Sequence, residues 1–125
     1  MVEAILIFLF LLFGHWVADF VCQSNWMAQN KSKSNWPLIV HVCAYSAVMF
    51  VFGLAVLVFG VGTLALWAVF ALVNGGLHFV TDFFTSRKSS KLYAEGRIHD
   101  FFVVIGLDQF LHQAAIAATL LMLIL

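Results

Sequence analysis

All six lysines and arginines of this chain lie in two short segments: Lys31 and Lys33 in one, Arg87, Lys88, Lys91 and Arg97 in the other. Around and between them run four apolar stretches, each close to the roughly 20 residues that carry a helix across a bilayer. These spans are predicted over about residues 4–22, 37–59, 63–84 and 101–125. Charged residues make up 10% of the 125, against about 25% in an ordinary soluble domain, so a water-facing surface cannot be assembled from them. The lipid bilayer is therefore the predicted solvent and first partner. Lipid offers backbone groups no hydrogen bonds, so apolar runs of this length must be helical. The predicted fold class is all-α: one domain, an integral membrane four-helix bundle. A net charge of zero removes the electrostatic basis for nucleic-acid binding.

Local signals set the boundaries. Pro37 suits the first turn of the second helix, so it is taken to open it. Gly60 and Gly62 mark a short turn, and residues 85–97, TSRKSSKLYAEGR, read as a polar loop. The stretch Ala4 to Phe13 is apolar, but only Glu3 precedes it as a charge and no clean small-x-small site follows, so it reads as a retained helix rather than a leader. Cys22 and Cys43 lie in apolar stretches and read as small buried hydrophobes.

Orientation follows from the basic residues. With four alternating spans, the first and third loops share a side, and together they hold every Lys and Arg. The positive-inside rule puts both loops in the cytoplasm and both termini outside, which in a bacterial host means a multi-pass protein of the inner membrane. Trp26, Trp36 and Tyr93 sit in or near these loops, at the interfacial positions aromatics favour. The same basic loops would attract anionic headgroups or phosphate-bearing substrates, at about 1 kcal/mol per basic residue.

The ionisable residues inside the spans carry the functional signal. His15 and Asp19, His41 and Tyr45, His78 and Asp82, and Asp108 and His112 are each four apart, with Asn74 four before His78. Residues at i and i+4 share a helix face, so each span presents one polar stripe. At 1.5 Å per residue, His15, His78 and Asp108 fall roughly 10–12 Å below the basic boundary, with His112 deeper. A carboxylate at mid-span costs about 2.5–3.5 kcal/mol, and no Lys or Arg within a span is available to relieve it. Protonation, Asp–His hydrogen bonding or a bound cation remain as compensation. Four His and three Asp exceed the four ligands one zinc ion needs and could serve two divalent ions, with Zn, Mn or Fe all compatible with mixed N/O ligands. For one pair, a structural hydrogen bond between helices, at about 0.6 kcal/mol, would suffice as explanation. Three pairs plus His41 converging at one depth favour a metal site made by His15, Asp19, His41, His78, Asp82, Asp108 and His112.

Outside the stripes, Gly75 and Gly76 are expected to allow close packing beside His78, and Gln109 and Gln113 to bond across helices. Gln23 and Asn25 would line the mouth, while His99 and Asp100 would sit solvated at the boundary.

GHWVADF at 14–20, QSNWMAQNKSKS downstream, the isolated His41 and HFVTDFFTSR at 78–87 resemble a family of small bacterial and phage membrane proteins labelled domain of unknown function 3307. The resemblance covers nearly the whole chain. A looser similarity is to inner-membrane proteins described as metal-dependent hydrolases and induced with the DNA-damage response. These place H-x-x-x-D-x-x-T at the end of an apolar helix, matched here by His78, Asp82 and Thr85. Their second signature, around an R-G-x-T-H run, has no counterpart in this chain.

The leading functional expectation is a membrane-embedded metal-dependent hydrolase, open to the cytoplasm, acting on an anionic lipid or phosphodiester, with Asp108 or His112 as general base. The alternatives are a metal-ion or proton transport or binding protein, as a homo-oligomer, and a phage or prophage accessory protein that acts by helix–helix contact. Transport is disfavoured because the stripes fade beyond Asn74 and His112 and no inverted repeat is visible.

Overall fold

The computed structural model describes residues 1–125, all helical apart from short connections. Helix α1 (Val2–Trp16) runs on through a π-helical turn at Val17–Val21. A short α2 (Asn25–Asn30) follows, then α3 (Asn35–Val58), α4 (Leu64–Ala94) and α5 (Ile98–Thr119), which ends in a second π-helical turn at Leu120–Ile124. Four of these segments are long and apolar enough to cross a membrane: Val2–Val21, Asn35–Val58, Leu64–Ala94 and Ile98–Ile124. The chain is an all-α bundle suited to a bilayer.

Side-chain caps fix where the helices start. Ser24, Ser34 and Thr63 each accept a hydrogen bond from a backbone N–H of the following turn, at Met27, Trp36 and Leu66. Such caps satisfy donors that a helix start leaves unpaired. Ser34 therefore starts α3 two residues before Pro37, which sits inside the first turn rather than opening it. The larger correction concerns residues 85–97. No Gly or Pro interrupts the chain between Thr63 and Gly96 other than the helix-tolerated pair Gly75 and Gly76, and α4 continues for ten residues past Phe84. The polar stretch is helix, not loop. It ends where Gly96 adopts φ +71°, with Arg97 N–H donating to Leu92 O and Gly96 N–H to Tyr93 O. This is the Schellman stop that only a residue free of a Cβ takes without strain.

The helices pack in a ring, α1 on α3, α3 on α4, α4 on α5, and α5 back on α1. Side chains from the end of α1, the start of α3, the later part of α4 and the first half of α5 meet, so successive long helices alternate in direction and both basic segments lie at one end. The half away from that end is closed by apolar packing of Leu11, Met49, Trp67, Phe70, Ile116 and Leu120, all buried. Gly53 makes this packing close: a Cβ there would come within 2.6 Å of the Trp67 ring. Gly75 likewise lies against Ser46 of α3, whereas Gly76 faces open space and has no part in packing. Large apolar side chains such as Leu6, Val51, Leu72 and Phe110 point outward, as a lipid-facing surface requires. Cys22 and Cys43 are exposed, not in the core: Cys22 lies in the bend that follows the π-helical turn, and the period of α3 turns Cys43 outward.

Candidate metal centre

The four long helices bring His15, Asp19, His41, His78, Asp82, Asp108 and His112 together, and all seven are buried. The π-helical turn at Val17–Val21 holds Asp19. A π turn inserts extra backbone into a helix and is common at functional sites. Here it places Asp19 between α3 and α5, so that its two oxygens serve different neighbours.

The tightest group is formed by Asp19 Oδ1, His41 Nε2, His78 Nε2 and Asp82 Oδ2. His41 Nε2 lies 3.0 Å from Asp19 Oδ1 and 3.1 Å from His78 Nε2. His78 Nε2 lies 3.3 Å from Asp19 Oδ1, and both imidazoles lie 3.4 Å from Asp82 Oδ2. Zinc takes nitrogen and carboxylate ligands at about 2.0–2.2 Å, which makes the edge of a tetrahedron roughly 3.3–3.6 Å. The observed separations sit at or just inside that edge. The donor chemistry points the same way. A neutral imidazole carries one N–H, and the Nδ1 atoms of His41 and His78 are buried without a partner. Two protonated Nε2 atoms 3.1 Å apart oppose each other, while a bare one turns its lone pair toward carboxylate oxygens. A positive ion at the centre resolves both conflicts, and these residues could hold one.

Two further sets adjoin it: His15, Asp19 and His112 on one side, and Asp82, Asp108 and His112 on the other. Asp82 and Asp19 belong to two sets each, so either carboxylate could bridge neighbouring ions. His112 Nε2 is 3.6 Å from Asp82 Oδ1, and His112 Nδ1 is 3.4 Å from Asp108 Oδ2. The rings stack: His112 on His78 at 3.9 Å between centroids, and Tyr45 on the other side of His78 at 4.0 Å. His112 is therefore level with His78, and Asp108, hydrogen-bonded to Thr85, is one turn nearer the basic end. The sequence put Asp108 level with His78 and His112 deeper; their order along α5 holds, but α4 runs ten residues past its predicted end, which brings His112 opposite His78.

Residues 7–125 match the family described as "Protein of unknown function (DUF3307)". The chain belongs to that family. No curated protein and no solved structure matches it.

In this family member, two residues complete the site from outside the stripes. Lys31, from the segment after α2, reaches in and donates to Asp82 Oδ2 at 2.8 Å. This corrects the expectation that no Lys or Arg relieves the buried carboxylates: four methylenes let a loop lysine deliver its charge below the boundary. With neutral imidazoles the site holds three carboxylates and one ammonium, so a single divalent ion would bring it to neutrality. Gln109 bonds across helices as expected, with Oε1 3.0 Å from His15 Nε2 and Nε2 donating to Asp19 at 3.0 Å and Asp108 at 3.1 Å. Gln113 is exposed on the outer surface instead. His99 is exposed, and Asp100 pairs with Arg97 at the surface. Asn74 lies deeper than the cluster and donates to Thr119 on α5 and to its own helix at Phe70 O.

The cluster opens toward the basic end through a cleft of about 660 Å³. Asp19, Asp82, Asp108 and Gln109 are at its floor, and Gln23, Lys31, Lys33, Ser86, Ser89 and Tyr93 are among the residues above. Asn25, expected at the mouth, is the exposed first residue of α2 instead and does not line the cleft.

Proposed function

We propose that the protein is a metal-dependent hydrolase embedded in the bacterial inner membrane, with its basic end and cleft in the cytoplasm and both termini outside. The observation that carries this reading is the four-atom cage of Asp19, His41, His78 and Asp82, with separations of 3.0–3.4 Å, beneath an open polar cleft. A bound divalent ion supplies Lewis acidity and a water acidic enough to react near neutral pH. Asp108 is the group for proton transfer. It lies on the cleft side of the cage, its carboxylate aligned by Thr85 and Gln109, and His112 stands behind it at 3.4 Å. In hydrolysis of an ester, water adds to the electrophilic centre, Asp108 takes the proton, and the leaving alcohol receives one in return. Lys31 and Lys33 favour a negatively charged substrate.

The closed apolar half supports a one-sided reaction site over a transmembrane path. Polar side chains end at the Asn74–Thr119 pair, and Trp67, Phe70, Leu11 and Ile116 fill the bundle beyond. Elemental analysis of protein purified in detergent without chelators tests the reading directly. One or two Zn, Mn or Fe ions per chain are expected, together with turnover of an anionic ester that falls about 10²–10⁴-fold in Asp108→Asn. Wild-type protein without stoichiometric metal would refute it.

A further inference from the structure

The stripe Asn74, His78, Asp82 does not stop at the membrane boundary. On the continuous α4 it runs on through Thr85, Ser86, Ser89 and Tyr93, which all line the cleft. Ser86 Oγ and, facing from beyond α1, Gln23 Oε1 are buried without hydrogen-bond partners. Buried polar groups left unpaired cost about 1–3 kcal/mol each, so such groups lining a cleft mark where a ligand or water is received. Lys31, half-withdrawn onto Asp82, and Lys33, exposed at the rim, supply the positive charge above the carboxylate floor. The side between α1 and α5 is apolar, with Phe20, Phe101 and Ile105 in the wall and Phe20 half exposed on the lipid-facing surface.

We infer that this cleft binds a phosphate ester headgroup: the phosphate between Lys31, Lys33 and the Ser86 hydroxyl, and any acyl chains leaving between α1 and α5 past Phe20. A hydroxyl donor, two ammonium groups and a floor that a divalent ion would neutralise match a tetrahedral oxyanion better than a neutral or cationic headgroup. The inference rests on the proposed reaction for its purpose but concerns binding alone.

The test is binding to the purified, metal-loaded protein in detergent, read as a thermal shift and as retained ligand in native mass spectrometry. The probes are phosphatidylglycerol, phosphatidic acid, sn-glycerol 3-phosphate and, as the phosphate-free control, diacylglycerol. Both phosphate lipids are expected to bind and diacylglycerol not to. If glycerol phosphate binds as tightly as the lipids, the phosphate site stands and its ligand is soluble. Lys33→Gln and Ser86→Ala should each weaken binding severalfold and Lys31→Gln roughly tenfold or more, while Lys91→Gln, outside the cleft, should change nothing. Since Lys31→Gln also leaves Asp82 unpaired, the Lys33 and Ser86 variants decide the matter if it fails to fold. Equal binding of diacylglycerol, or undiminished binding in both the Lys33 and Ser86 variants, would overturn the inference. Binding without hydrolysis would leave it intact and sink the reaction instead.

Discussion

Replacing His78 with alanine separates a metal cage from a structural knot of hydrogen bonds. His78 is fully buried and stands at the centre of the cluster, within 3.4 Å of Asp19, His41 and Asp82. Structural zinc sites bind with about 10–16 kcal/mol, so one ligand of four carries roughly 2.5–4 kcal/mol, or two to three decades of affinity. Ligand binding stabilises a fold by RT ln(1 + [L]/Kd), about 2.7 kcal/mol at a hundredfold excess over Kd. A hundredfold loss of affinity leaves only about 0.4 kcal/mol of that at the same metal concentration. His78→Ala should therefore lose nearly all metal-dependent stabilisation. It should also lose about 1–3 kcal/mol of metal-independent stability, because Tyr45 and His112 both stack on the ring. Thermal unfolding of both proteins, with metal and with chelator, resolves the two contributions. If chelator leaves the wild-type melting temperature unchanged, or the variant responds to metal as the wild type does, the cage reading is wrong.

Other substitutions probe the surroundings. Gln109→Leu removes the bridge among His15, Asp19 and Asp108 without touching the cage atoms of α3 and α4, and should weaken metal binding about 10–100-fold by titration calorimetry. Thr119→Val breaks the deep Asn74 hydrogen bond, at about 0.6 kcal/mol of unfolding free energy, and should leave metal content unchanged. Gly53→Ala pushes a methyl group into the Trp67 ring and should cost about 1–3 kcal/mol in denaturant unfolding, whereas Gly76→Ala, facing open space, should be nearly neutral. In a background freed of Cys22 and Cys43, a cysteine at Lys91 should be labelled from the cytoplasm and one at Val61 from the opposite side; the reverse pattern would invert the proposed orientation.

The spans and the ligand stripes were legible because each rests on a local rule. An apolar run of about 20 residues needs a helix in lipid, and i, i+4 spacing puts His15 with Asp19 and His78 with Asp82 whatever surrounds them. The part of α4 beyond Phe84 was misread for a physical reason: Ser, Lys and Arg are as compatible with a solvated helix as with a loop, and polarity was taken for irregularity. The missing breaker before Gly96 was the usable signal. Lys31 was missed because reach depends on tertiary structure. Nothing in QNKSKS says that the first lysine turns inward to Asp82 and the second stays outside. The π turn around Asp19 has no compositional mark, and the level of Asp108 and His112 against His78 hung on where α4 ends.

One wall of the cleft is a single 31-residue rod, roughly 46 Å long, that carries Asp82 at the floor and Ser89 and Tyr93 above it. Those positions keep a fixed spacing, since shifting one along the axis shifts them all. Accommodation of molecules of different size must come from across the gap, where residues 22–34 cross the entrance as turns and one short helix. Selectivity would then reside in that strap and durability in the rod, so exchanging residues 22–34 between relatives, with Lys31 kept in place for Asp82, should change what is accepted while sparing the floor beneath.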